Sequence, residues 1–352
     1  MRKALSFLLA LVLLGAVAAV LVYRWSTNIY TSPGPHEQVA RFEVMSGSSV
    51  RGVINQLGNR GVISDARAVS LYLRVRNMHP KIKAGTYEFP AHASPADIVR
   101  MLEQGAVVLE TLTIVEGSTF ADLRRALERH PAVTQTLKGK TNDEVMALIG
   151  HANELPEGRF FPDTYRFAAR TTDVDILKLA YDSMARVLAE AWAGRSEGLP
   201  ISTPYQALIL ASIVEKETGL AAERPRIAGV FTTRLRTGMR LQSDPTVIYG
   251  IGEKYDGDIR TRDLQRDTPY NTYTRGGLPP TPIALPGRES LMAVVRPHET
   301  GDIFFVATGD GTGAHYFSKT LEEHNAAVRR FLNRLRQQAQ SSNRPEPKKA
   351  GQ

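Results

Sequence analysis

The sequence predicts an α+β protein: one N-terminal transmembrane helix, a small strand–helix module, and a larger, mainly helical domain. Three observations carry that expectation. Ala4 to Tyr23 is a run of twenty residues without a charge. Two segments at an offset of 70 residues repeat one pattern of strand, glycine turn and helix start. Farther on, Ala207, Leu208, Ile209, Leu210, Ala211, Ile213 and Val214 make a stretch apolar nearly all round, as a buried helix requires.

About 20 helical residues at about 1.5 Å each span the hydrocarbon core of a bilayer. Arg2 and Lys3 precede the apolar run and favour a cytoplasmic N-terminus, although Arg24 at the other end weakens the contrast. Ala16-Val17-Ala18 resembles a small-residue cleavage site, but the run is longer than the apolar core of a usual signal peptide. Residues 1–24 are therefore read as a retained anchor, and either reading exports the rest of the chain. Residues 25–38 contain Ser32-Pro33-Gly34-Pro35 and few apolar side chains, so a linker is expected there.

The first copy of the repeat runs from Phe42 through Gly47 to Ser49 and Val50, and the second from Leu112 through Gly117 to Thr119 and Phe120. Each alternates like a strand, turns at glycine, and offers a hydroxyl residue as helix N-cap. The first copy continues with a helix around Asp65–Arg76 and a strand around Gly85–Phe89. Ser94-Pro95-Ala96-Asp97 then opens a helix with an N-cap, a proline at N1 and an acid at N3, and Gly105 stops it. Residues 39–106 thus form one β-α-α-β-α module. Residues 107–337 form the second domain, including a helix over Asp175–Ala193. Thr308-Gly309-Asp310-Gly311-Thr312-Gly313 lies between two strand-like segments rather than before a helix, which points to a hairpin turn and not a phosphate loop. A helix from about Leu321 to Leu335 closes the domain. Residues 338–352, rich in Ser, Pro and Lys, are expected to be disordered.

Composition narrows the chemistry. The chain has 352 residues, 42% of them hydrophobic and 23% charged, which suits more than one folded module. With no cysteine, disulfides, thiol nucleophiles and thiolate metal sites are excluded. The net charge of +8 favours an anionic partner. Its basic residues are scattered and no nucleic-acid motif is present, so nucleic acid is not an expected partner, whereas lipid headgroups or an acidic wall polymer are. His315 and His324 lack a paired ligand pattern, so no metal is expected.

The apolar helix ends in Glu215-Lys216-Glu217-Thr218, with Gly219 a fitting C-cap. Glu217 follows the Leu210, Ile213 and Val214 ridge at helical spacing, and a carboxyl desolvated on such a face can hold a proton near neutrality, as a general acid must. Glu215 lies about 200° around the helix and cannot pair with it. By periodicity alone Glu217 reads more readily as part of a charged, frayed helix end, with Lys216 as a solvated partner. Gln242 and Asp244 could bind sugar hydroxyls or orient Glu217, and Asp244-Pro245 also suits a turn. Tyr270, Asn271 and Tyr273 could stack on and hydrogen-bond a saccharide. Glu157 or Asp163, which bracket Phe160-Phe161-Pro162, could line a groove or cap a helix.

Residues 208–252, including Glu215-Lys216-Glu217-Thr218 and Arg240 through Gly250, resemble the central signature of the MltG/YceG family. So do Glu157 through Tyr165, Tyr270-Asn271-Thr272-Tyr273 and Gly277-Leu278-Pro279-Pro280, and the resemblance covers essentially the whole chain. It implies an endolytic lytic transglycosylase that cleaves the MurNAc-β-1,4-GlcNAc bond of peptidoglycan glycan strands, leaves 1,6-anhydromuramyl ends and terminates strand elongation. It implies Glu217 as the catalytic residue on a lysozyme-like helix, a LysM-like glycan-binding module at 39–106, no cofactor, and peptidoglycan synthases (penicillin-binding proteins) as partners at the inner membrane. Lysozyme-like hydrolysis usually takes two carboxylates. A lytic transglycosylase uses the muramyl C6 hydroxyl as internal nucleophile, so one suffices. Two other readings stay open: a noncatalytic glycan-binding scaffold, and a water-using muramidase with Asp244 or Glu157 as second carboxylate. The product distinguishes them.

Overall fold

A computed structural model describes residues 2–342, and these divide into two compact units: residues up to Thr111 with Arg166–Thr171, and Leu112–Tyr165 with the chain from Thr172 onward. The first break between them falls after Thr111, within the strand that leads into the second copy of the repeat.

The first unit opens with helix α1 (Arg2–Thr31), followed by β1 (Ala40–Val44), α2 (Val50–Asn59), α3 (Ala66–Val75), β2 (Gly85–Phe89) and α4 (Pro95–Gln104). This is the β-α-α-β-α order read from the sequence. Strands β1 and β2 pair antiparallel with Phe42 opposite Tyr87 and Val44 opposite Gly85. Gly85 has φ of +143°, and a Cβ there would meet Val107 at 2.5 Å, so only glycine fits. Phe42, Tyr87, Phe89, Ile54, Leu57, Ile98 and Leu102 fill the core. Ser94 and Asp97 make a reciprocal capping box on α4, and Gly105 ends that helix in the left-handed conformation. Each such cap is worth about 1 kcal/mol.

The linker expected at 25–38 is only partly present. Helix α1 continues unbroken to Thr31, with Ser26 and Tyr30 buried and Tyr30 stacked on Tyr72 of α3 at 4.1 Å. Ser26 and Thr27 return their hydroxyls to the carbonyl of Tyr23, which lets these weak helix formers stay helical. The stretch Leu5–Thr31 is long and apolar enough to cross a membrane.

Strands β3 (Leu109–Thr113) and β4 (Thr164–Ala168) pair with each other, and each has residues in both units. The second unit otherwise contains α5 (Phe120–Arg129), α6 (Asn142–Leu148), α7 (Asp173–Ala193), α8 (Pro204–Glu217), α9 (Arg224–Arg236), α10 (Asp244–Ile251), α11 (Thr261–Gln265), α12 (Arg288–Val295), β5 (Phe304–Ala307), β6 (His315–Ser318) and α13 (Leu321–Ser342). Its core surrounds α8, whose residues Ala207–Val214 are all buried, against α7, α9 and α12. Gly229 of α9 lets that helix approach the backbone of His298, whose carbonyl oxygen would lie 2.3 Å from a Cβ. The glycine run closes a hairpin: β5 and β6 pair antiparallel, Thr308 N–H donates to Ala314 O at 2.8 Å, and Gly309, Gly311 and Gly313 have positive φ. Residues 338–342, expected to belong to a disordered tail, are helical instead, since α13 runs to Ser342 and Gln338 donates to Gly309 O at 2.8 Å. The rest of that tail lies outside the described residues.

Candidate active site

Helix α8 delivers three consecutive polar side chains into three surroundings. Thr203 caps its start by accepting from Gln206 N–H, and Pro204 sits at N1. Ser212, buried mid-helix, donates to Ile209 O and accepts from Ile283 N–H. The helix ends at Glu217. Thr218, not Gly219, is the C-cap: it is extended, and its hydroxyl accepts from Leu220 N–H at 3.0 Å, so no left-handed glycine is needed.

Glu215 has only 4% of its side chain exposed. Its Oε1 accepts from Arg224 at 3.0 Å, and its Oε2 from Gly287 N–H at 2.9 Å and Ser290 Oγ at 2.7 Å. Three protein donors thus engage both oxygens of that carboxylate. Lys216 is exposed and donates to Gly117 O at 3.1 Å. Glu217 is partly buried and accepts one hydrogen bond, from Ser243 Oγ to Oε1 at 2.5 Å. Burial pushes its carboxyl up to about 7; the Ser243 hydroxyl and Arg234 pull downward, and the negative charge of Asp244 pushes upward. A group so poised can give a proton and take it back near neutrality.

The loop that meets Glu217 explains its aim. Ser243 occupies the N-cap position of α10 but makes no capping hydrogen bond. It is buried, its N–H donates to Thr272 Oγ1 at 3.0 Å, and its carbonyl accepts from Thr246 Oγ1 at 2.6 Å. Tyr273 donates its hydroxyl to Asp244 Oδ1 at 2.6 Å, and burial together with that contact holds the phenol above its usual range. Arg234, buried in α9, donates to the carbonyls of Ile303 and Leu241. Gln242 is exposed beside them.

The site residues expected from sequence fall into two groups. Glu217, Gln242, Asp244 and Tyr273 gather around the α8 terminus. Glu157 and Tyr270 belong to a cleft of about 1050 Å³ whose lining includes Phe120, Glu157, Tyr249 and Tyr270, with Lys216 and Pro245 from beside the first group. Glu157 is buried there, accepting from Phe120 N–H at 2.9 Å and Tyr249 Oη at 3.0 Å, and desolvation pushes it up to about 7. Tyr270 shares a hydrogen bond with Thr281 Oγ1 and meets Tyr249 edge-on at 4.9 Å. Asn271 is not free to bind a saccharide. It is buried, its Nδ2 donates to the carbonyls of Asp263, Leu264 and Arg266, and its Oδ1 accepts from Tyr273 N–H. It folds the loop that presents Tyr273. Asp163 caps nothing in the cleft and accepts from Thr164 N–H. His315 pairs with Glu223 at 2.7 Å and His324 stacks on Phe304.

Sequence reading missed Ser243, Arg234, Thr246 and Thr272. Asp244-Pro245 suits a turn, and nothing local reveals that the Ser243 hydroxyl before it is directed to Glu217.

The YceG-like family model matches residues 42–330. An endolytic murein transglycosylase of Bacillus subtilis (strain 168) is 30% identical over 310 residues, 82% of this chain and 84% of that protein. An endolytic murein transglycosylase of Streptococcus pneumoniae serotype 2 is 27% identical over 324 residues, 82% of this chain, which spans 58% of that longer relative. The crystal structure of a yceG-like protein from Listeria monocytogenes superimposes with a TM-score of 0.53 at 31% identity, covering 82% of this chain and 99% of the other.

Proposed function

The chain belongs to the YceG-like family and is an endolytic murein transglycosylase, and we propose that Glu217 alone carries its proton transfers. The carrying observation is a partly buried carboxyl, raised to about 7, at the end of a buried helix with one oxygen held by Ser243. In the first half-step Glu217 gives its proton to the glycosidic oxygen as the C1–O4 bond breaks and GlcNAc leaves with a free O4 hydroxyl. In the second, the muramyl C6 oxygen bonds to C1 while its proton passes to Glu217, restoring the acid and leaving a 1,6-anhydromuramyl end. Water is not consumed, and the intramolecular nucleophile has the proximity advantage of a ring closure. The two carboxylates that could serve a hydrolytic mechanism are engaged elsewhere, Asp244 with Tyr273 and Glu157 with Phe120 and Tyr249, which supports the single-acid reading.

The substrate is a peptidoglycan glycan strand, and the aromatic cleft beside Lys216 and Pro245 suits a saccharide chain. Helix α1 is read as a retained anchor holding the folded units outside the cytoplasm, and the β-α-α-β-α module as LysM-like and glycan-binding. Glu217→Gln tests the mechanism. Gln fills the same space, and the Ser243 hydroxyl can turn to accept from it, but it has no proton to give. Turnover should fall at least about 10³–10⁴-fold, the upper part of the usual general acid–base range, with an unchanged melting curve. Digests of sacculi by the wild type should yield muropeptides with anhydro ends, one water lighter than hydrolytic products. Near-normal activity in the variant, or reducing ends from the wild type, overturns the reading.

A further inference from the structure

The segment Gln242-Ser243-Asp244 is built against local preference. Gln242 has φ of +50°, the left-handed region that side-chain-bearing residues seldom adopt, and its N–H is held by Thr272 O at 3.2 Å. Ser243 stands where a serine normally caps a helix, yet its hydroxyl turns away from α10 to Glu217. Strained backbone and a forgone cap, side by side, mark a place where the aim of a side chain is over-determined by its surroundings. Thr246 and Thr272 share a hydrogen bond at 2.9 Å and hold Ser243 from below through its backbone. One residue on, Asp244 is exposed but tethered by Tyr273 Oη.

We propose that Ser243 and Asp244 are positioning residues that act on Glu217 in opposite senses, Ser243 fixing the carboxyl and favouring its carboxylate form, Asp244 favouring its protonated form. The proposal rests on Glu217 being the proton-transferring group. A single carboxyl that must first give up one proton, to the leaving oxygen, and then accept another, from the C6 hydroxyl, works best when neither form is strongly preferred. A donor on one oxygen stabilises the carboxylate needed in the second half-step, and a fixed negative charge nearby stabilises the acid needed in the first. With Oε1 engaged by Ser243, Oε2 is the oxygen left to carry the proton. The groups that act on Glu217 are the Ser243 hydroxyl and Asp244 carboxylate of α10, the Arg234 guanidinium of α9, and the Tyr273 phenol of the loop after α11. Arg234 is committed to the backbone of Leu241 and Ile303, and Tyr273, whose phenol also feels the charge of Glu217, spends its hydroxyl on Asp244. The adjustable pair is therefore Ser243 and Asp244.

The test is the pH dependence of kcat and KM for the full chain on soluble peptide-bearing glycan strands, with Glu217→Gln as reference. The free enzyme must hold the proton, so the rate falls on the alkaline side as Glu217 ionises. Asp244→Asn removes the charge but leaves an acceptor for Tyr273, and the alkaline limb should move to lower pH. Ser243→Ala removes the donor, so the limb should move to higher pH while kcat on the plateau drops about ten- to hundredfold, the worth of a hydrogen bond to a charged group. KM should stay within about twofold in both, since neither change alters ground-state binding. Ser243→Thr keeps the hydroxyl and should recover most of kcat. Asp244 is exposed, so Asp244→Asn carries the test alone if Ser243→Ala does not fold. Limbs that do not move, or move the same way, with Glu217→Gln inactive, overturn this proposal and leave the role of Glu217 standing. Activity in Glu217→Gln overturns both.

Discussion

Glu215→Gln is the informative counterpart of Glu217→Gln, because the two glutamates are two residues apart on α8 and their carboxyls meet different chemistry. Around Glu215 all three neighbours donate: Arg224 to Oε1, Gly287 N–H and Ser290 Oγ to Oε2. A glutamine amide has one acceptor and one donor end, so in either orientation its NH₂ points at a buried donor. Arg224, with 10% of its side chain exposed, keeps Glu116 at 3.7 Å as its one remaining acidic partner among the described residues. Removing one member of a buried ion pair costs about 3–5 kcal/mol. Gln conserves volume and one acceptor, so the low end, about 3 kcal/mol, is expected here. In domains of about 150–250 residues each kcal/mol moves Tm by about 2–4 °C, giving a fall of roughly 6–12 °C. Differential scanning calorimetry and muropeptide release, both on the purified enzyme, make the assay. At a temperature where the variant is folded, its turnover should stay near wild type. An unchanged Tm would refute the reasoning about donor crowding, and an inactive but fully folded Glu215→Gln would refute the assignment of roles along the helix.

Two further outcomes follow from the same structure. Burial holds the Glu157 carboxyl at about 7 against 4.5 in its ordinary state, so the folded chain keeps a proton that the unfolded chain releases. The stabilisation from that site is complete below about 4.5 and is lost as pH rises through about 7; melting curves from pH 5 to 8 should fall less steeply in Glu157→Gln, and an identical slope would count against a buried, titrating Glu157. For the anchor, intact-mass measurement of the membrane-extracted protein should include Ala4–Tyr23, and an N-terminus near Ala19 would show a cleaved leader instead.

The sequence disclosed most where a residue's preference and its surroundings agree. Gly47 and Gly117 have positive φ and Ser49 and Thr119 cap the following helices, as the repeated pattern requires. Glycines 309, 311 and 313 turn a hairpin, and α8 is as buried as its composition demands. It disclosed least where tertiary contacts override local preference. Ser26, Thr27 and Asn28 look like linker residues, yet the burial of Tyr30 on α3 keeps them helical. Asn271 looks like a saccharide contact, but its amide is consumed by backbone groups that only the folded loop brings together. Ser243 escapes sequence reading because its partner, Glu217, lies 26 residues earlier in the chain.

The unbroken run of α1 into the first unit bears on where this enzyme can reach. A flexible leash over residues 25–38 would let the module wander about 20 Å from its exit point. A helix of 30 residues is instead about 45 Å long and exceeds the roughly 30 Å hydrocarbon thickness by several turns. Those turns end in Tyr30 stacked on Tyr72, so in the anchored protein proposed above they would serve as a rigid stalk and not as a tether. Helix length would then set the height of the module above the lipid. With α1 retained as the proposed anchor, the module would work in a thin layer at constant height above the lipid.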